Sequence, residues 1–218
     1  MTEIELVCVR HGQTAWNAEL RFQGQSDVPL NEAGRAQARE LALALREWTF
    51  ALALSSDLVR ASETAQTILR GREVPLRLDH DLREMNFGEW EGLTWAQILE
   101  RNPALRVEYD VDHSPKRYAP PGGERFEDVI DRARRVLEKV GAQASEGTSV
   151  LIVTHAAVLH ALVRLVLGPA AAARVDVRFR PAGVTRFAVE PGAGEGGGRL
   201  LALNQRAAEC AGALPEAT

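Results

Sequence analysis

The sequence predicts an α/β fold: a three-layer α/β/α sandwich around a mostly parallel central sheet. Three observations carry that prediction. Ile4 to Val9 and Ser149 to Thr154 are short apolar runs rich in β-branched residues, the pattern of strands buried on both faces. Amphipathic stretches of helical period lie between them, at Glu32 to Glu47 and from Phe126 to about Ala144. Both runs lead into a histidine, His11 after Arg10 and His155 directly, and ligands of open α/β sheets sit beyond the carboxyl ends of the strands.

The first strand ends in Arg10-His11-Gly12-Gln13-Thr14. An arginine and a histidine, with a glycine allowing close backbone approach, suggest an anion site. Arg21 to Asn31 reads as loop, without periodicity and with glycine and proline. Asn31 is a helix N-cap, and Ala36, Leu41, Leu45 and Trp48 form the apolar stripe of the helix it opens. Phe50 to Leu54 is a second strand, after which Ser55-Ser56-Asp57 caps a helix to about Leu69. Arg60, near that helix start, is either a solvated side chain or the reinforcement of an anion site. Leu76 to Leu78 makes a short strand.

Leu82 to Leu93 holds three carboxylates, Glu84, Glu89 and Glu91, any of which could be surface charge, with Phe87 and Trp90 as candidate pocket walls. Thr94 caps a short helix to about Arg101, and Pro103 opens another near Leu105 to Tyr109. Asp112 to Gly123 reads as a loop in which His113, lacking metal-ligand spacing, is ordinary. The stretch around 94–124, with Arg106, Tyr109, Arg117 and Tyr118, is expected to cover the site and select the substrate. In the long helix that follows, Phe126, Val129, Ile130, Ala133, Val136, Leu137 and Val140 face the core, while Arg132, Arg134 and Arg135 face solvent. Ala156 to Leu167 is a helix stopped by Gly168-Pro169. Gly183 to Glu190 and Leu200 to Asn204 are the last strands; the glycine-rich hairpin between them lacks the Lys-Ser/Thr of a P-loop. Residues 1–205 are read as one domain and 206–218 as a flexible, Ala-rich tail, disordered or loosely docked.

With 218 residues, 45% of them hydrophobic, the chain can bury one substantial core. A net charge of −4 argues against a nucleic-acid or acidic-membrane binder, so any anion site is local. Cys8 sits in a strand and Cys210 in the tail, which implies no disulfide framework. No signal peptide and no apolar run of membrane-spanning length is visible, and the expected location is cytoplasmic. No metal-ligand spacing such as His-Glu-x-x-His occurs, so no metal and no cofactor is expected.

Arg10-His11-Gly12-Gln13-Thr14, followed by Trp16-Asn17, resembles the signature of the histidine phosphatase superfamily, which includes the cofactor-dependent phosphoglycerate mutases. Similar in the same order are Gln23-Gly24, Pro29-Leu30, Gly34 with Gln37-Ala38, the string Ser55 to Ala65, Arg83-Glu84 before Phe87-Gly88 and Trp90-Glu91-Gly92, and Thr154-His155. The resemblance spans about residues 4 to 204. It implies a phosphoglycerate mutase-like fold and hydrolysis of a small phosphorylated substrate through a phosphohistidine.

It further implies His11 as nucleophile, Arg10 and Arg60 as phosphate clamps and His155 as a contact to the phosphoryl group. Glu84 is the implied proton donor, with Phe87 and Trp90 raising its pKa by desolvation. Glu89 and Glu91 are left to solvent or local hydrogen bonds. Asn17, Gln23, Gly24 and the Ala156 N–H are the implied substrate ligands, although Gln23 could equally serve loop packing.

Two departures stand out. Ala156-Ala157 replaces the usual Gly-Gly, implying a tighter pocket, and Gly123-Glu124-Arg125 lacks the usual capping serine. Mutases usually carry Asn-Glu-Arg-His-Tyr-Gly around the acid and a longer insertion before the second histidine. Here Arg83-Glu84-Met85-Asn86-Phe87-Gly88 and 71 positions from Glu84 to His155 favour a phosphatase. A mutase and a phospholigand binder without turnover are the alternatives.

Overall fold

The computed structural model describes residues 3–105, 119–192 and 194–210. At its centre six strands lie in the order β3 (Leu76–Leu78), β2 (Phe50–Ser55), β4 (Ser149–Thr154), β1 (Ile4–Arg10), β5 (Val184–Val189) and β6 (Gly198–Gln205). The first four are mutually parallel, β5 runs antiparallel to β1 and β6 antiparallel to β5, so the sheet is mostly parallel as expected. β1 and β4 are direct neighbours with Arg10 opposite Thr154, which brings the two histidine junctions side by side.

Alternation along the strands divides the core into two halves. Leu6 and Cys8 of β1, with Val150 and Ile152 of β4, pack against α5 (Phe126–Gln143) and α6 (Ala156–Leu167). Val7, Val9, Leu151 and Val153 point the other way, onto α2 (Glu32–Ala44) and α3 (Val59–Ile68). Each such fully buried aliphatic side chain contributes about 1.5–3 kcal/mol, and this fixes three layers.

Several elements differ from expectation. A helical turn not read from the sequence, α1 (Ala15–Ala18), is closed by a reciprocal capping box of Thr14 and Asn17. α2 ends at Ala44, and Ala38 with Gly34, not Ala36, faces the core. α3 is not capped by Ser55-Ser56-Asp57: Ser55 closes β2, and the Val59 N–H is taken by Asp27 Oδ1, 2.7 Å away, from a distant loop. α4 (Trp95–Arg101) carries the expected Thr94 cap, completed by Gln97. α5 starts at Phe126 without a serine because the Asp128 carboxylate accepts the Arg125 N–H.

A short helical turn, α7 (Pro169–Ala172), follows Gly168. The first residues of the tail dock: α8 (Ala207–Cys210) folds back and buries Cys210 beside α2. The expected Leu105–Tyr109 helix beyond Leu105, together with Arg106, Tyr109, His113, Arg117 and Tyr118, lies outside the described residues. Among the described residues no helix is long and apolar enough to cross a membrane.

Candidate active site

β1 delivers Arg10 and His11 to the carboxyl edge of the sheet. His11 is 1% exposed, and its Nδ1 lies 2.7 Å from the Gly12 carbonyl oxygen. A carbonyl only accepts, so Nδ1 carries the hydrogen and Nε2 keeps its lone pair. Burial, then the charges of Arg60 and Arg10, hold the His11 pKa well below the usual histidine value. Gly12 is required by close approach: a Cβ there would stand 2.6 Å from the Gly34 carbonyl oxygen of α2. The Gly12 N–H is anchored on Thr64 Oγ1 of α3.

Arg60, from the first turn of α3, is fully buried and not a solvated side chain. Its Nη2 and Nη1 donate to the carbonyls of Gly24 (2.6 Å) and Ser26 (2.8 Å), which leaves Nε. Burial pulls its pKa down to about 10, against the supporting charges of Glu84 and Asp27. Arg10 Nη1 donates to the Phe179 carbonyl at 2.5 Å. His155, the N-cap of α6, stands with its ring centroid 5.0 Å from that of His11. Its Nε2 is 2.9 Å from Ser56 Oγ, which already accepts the Leu58 N–H and so has its own proton to give. With the Ser56 hydroxyl donating to Nε2, the His155 hydrogen sits on Nδ1. Burial, Arg60 and His11 hold this histidine uncharged as well.

Three buried side-chain nitrogens have no hydrogen-bond partner among the described residues: Arg10 Nε, Arg60 Nε and His155 Nδ1. All three are donors, and all belong to residues around His11. Donors clustered in this way match an anion at the His11 face.

Glu84 is 8% exposed and belongs to the same cluster, since its charge supports both Arg10 and Arg60. Its Oε1 accepts the N–H groups of Met85 (2.9 Å) and Ala157 (3.0 Å), and Oε2 accepts that of Ala156 at 3.2 Å. Two expectations are corrected here. The Ala156 N–H goes to Glu84, not to a free ligand position. Phe87 and Trp90 pack around Phe22, and in place of these rings the Glu84 carboxylate meets backbone N–H groups.

Asn17 Oδ1 accepts from Thr14, and Gln23 Oε1 accepts the Thr14 hydroxyl at 2.9 Å. Both amides are thereby oriented, and among the described residues their NH₂ groups meet no hydrogen-bond partner. Gly24 contributes its carbonyl to Arg60.

Sequence reasoning missed four supports. Ser56 orients His155. Glu91 makes the expected local bond, to the Phe87 N–H, but also binds the N–H groups of Gln25 and Ser26 and so ties the Gly24–Ser26 loop to the Glu84 loop. Glu124 and Arg132 pair across the Glu84 loop, which removes Arg132 from the solvent face assigned to it. Among the described residues no three His, Cys, Asp or Glu side chains group as a metal site.

A family model described as histidine phosphatase superfamily (branch 1) matches residues 6–205. The chain is 40% identical over 167 residues to a bifunctional protein of Mycobacterium tuberculosis, covering 76% of this chain but 45% of that protein. It therefore spans less than half the length of that relative. It is 36% identical over 169 residues to a glucosyl-3-phosphoglycerate phosphatase of Mycolicibacterium vanbaalenii, covering 75% and 74% of the two chains. The solved mycobacterial glucosyl-3-phosphoglycerate phosphatase in complex with VO3 superposes with a TM-score of 0.80 at 34% identity, over 92% of this chain and 98% of that one.

Proposed function

The chain belongs to the histidine phosphatase superfamily, and from that membership and its site we propose that it hydrolyses a small phosphate monoester through a phosphohistidine on His11. The observation that carries the proposal is the trio of unpartnered buried donors, Arg10 Nε, Arg60 Nε and His155 Nδ1, set around an uncharged histidine. In the first step His11 Nε2 attacks phosphorus and the bond to the substrate oxygen breaks. Arg10, Arg60 and His155 hold the phosphoryl oxygens, where positioning and charge stabilisation supply most of the catalysis. The NH₂ groups of Asn17 and Gln23 add two neutral donors.

Glu84 gives its proton to the leaving alkoxide, then takes one from the water that attacks the phosphohistidine and frees His11. Oε2, with one hydrogen bond, is the oxygen with capacity for that proton. The charge a metal would supply comes from the two guanidinium groups. Relatives named for glucosyl-3-phosphoglycerate make a phosphorylated glycerate derivative the first substrate to test. The reduced, buried Cys8 and Cys210 suit a cytoplasmic setting.

The test is inorganic phosphate release from a panel of phosphorylated glycerates, sugars and nucleosides, with and without a chelator. Hydrolysis unaffected by the chelator is expected. Transfer of phosphate between substrates without release would make the protein a mutase, and binding without turnover a phospholigand receptor.

A further inference from the structure

An ion pair outside the reacting groups holds the loop that carries Glu84. Arg132, on α5, sits three residues after the buried Val129 and four before the buried Val136, so its stem leaves the helix on the core side. Its side chain is 12% exposed and that of Glu124 is 21%. Nε and Nη2 of Arg132 grip the two Glu124 oxygens at 2.9 and 3.0 Å. The remaining donors all go to one short stretch of backbone: Nη1 to the carbonyls of Asp81 (2.7 Å) and Arg83 (3.0 Å), Nη2 to that of Glu84 (3.4 Å). Glu124 holds the other side, where Oε2 accepts the Asn86 N–H at 2.8 Å and its own N–H donates to the Asn86 carbonyl at 2.9 Å. The two segments lie flush, because a Cβ at Gly123 would stand 2.5 Å from the Asn86 carbonyl oxygen.

We propose that Arg132 and Glu124 are the positioning pair of the catalytic acid: by fixing the peptide groups on both sides of Glu84 they set the direction of its side chain. This rests on the reading of Glu84 as proton donor. Neither residue meets the phosphoryl group in that scheme. Both act through the Glu84 main chain, which must aim the carboxylate at the leaving oxygen while Ala156 and Ala157 hold it. A shift of about 1 Å at such a group lowers rate by as much as about 100-fold. A lysine offers a point charge in place of the fork and cannot bind the carboxylate and the carbonyls together.

The experiment compares an alkyl phosphate, whose leaving oxygen needs a proton, with p-nitrophenyl phosphate, whose leaving group does not. The rate of phosphohistidine formation is measured for wild type, Glu84→Gln, Arg132→Met, Arg132→Lys and Glu124→Gln, with thermal melting as the control for folding. For Arg132→Met and Glu124→Gln we expect the alkyl rate to fall by about 10- to 100-fold with the aryl rate within about threefold. Arg132→Lys should fall between them and wild type. Glu124→Gln keeps the volume and the Arg132–carbonyl bonds, so it serves if Arg132→Met does not fold.

Equal losses on both substrates in a folded variant, no loss on either, or a change confined to KM would overturn the pairing. So would failure of all three variants to fold, which would make the pair a folding staple. If Glu84→Gln itself shows no preference between substrates, the acid assignment fails. A selective Glu84→Gln with unselective Arg132 and Glu124 variants refutes the positioning role alone.

Discussion

His11 and His155 are both buried and both held uncharged, and this has a consequence for stability. Their folded pKa values lie well below the usual histidine value, so the folded state takes up fewer protons than the unfolded chain once pH drops under about 6.5. Their contribution is complete above that pH and is lost as pH falls. With two protons at stake the slope reaches about 2.7 kcal/mol per pH unit. Urea denaturation at pH 7, 6 and 5 should show this fall, and His155→Asn should roughly halve it. A flat profile down to pH 5 would mean that the histidines are charged in the fold. The carboxylates held low by ion pairs, Asp57 by Arg83 and Asp81 by Arg135 and Lys139, are lost at lower pH and do not confuse the window. At this scale the residues proposed to touch phosphate were legible in the sequence, because each sits in a contiguous string around a strand or helix end. Ser56, Glu91 and Glu124 were not, because each acts on partners brought near by the fold: Ser56 on His155, 99 positions away, and Glu91 on Ser26, 65 positions away.

At the level of elements, α3 matters most, since its first turn carries Arg60. The run Ser55-Ser56-Asp57 has the composition of a cap, yet Ser56 turns to His155 and Asp57 pairs with Arg83. The helix start is satisfied from the Gly24–Asp27 loop, the same loop whose carbonyls hold the Arg60 guanidinium. Asp27→Ala should therefore destabilise the protein by about 1 kcal/mol in urea unfolding, the usual loss for an N-cap, while Asp27→Asn, which can still cap, should cost less. Equal losses for the two would assign the effect to charge and not to the cap. The same distance dependence explains α2 and α5. Gly34 must face Gln13, which rotates α2 so that Ala38 and not Ala36 meets the core. In α5 the helical phase separates Arg132 from Arg134, a signal present in the sequence but hidden by reading three nearby arginines as one solvated face.

Over the whole molecule the decisive feature is the adjacency of β1 and β4, which places two histidines 144 positions apart in sequence with their rings 5.0 Å apart. Sequence could predict two strands ending in histidine; only strand order makes them one site. The net charge of −4 coexists with Arg10 and Arg60 gathered beside the two histidines, so on the proposed function attraction of a phosphorylated substrate is a local field and not a property of the surface. The proposed reaction turns on His11, whose Nε2 is the atom that would take the phosphoryl group. The direct measurement mixes the protein with excess p-nitrophenyl phosphate, quenches in alkali within a single turnover and maps the phosphate by mass spectrometry. The account predicts one acid-labile, base-stable phosphoryl group on His11, absent from His11→Ala. Phosphate on any other residue, or undiminished turnover in His11→Ala, would contradict it.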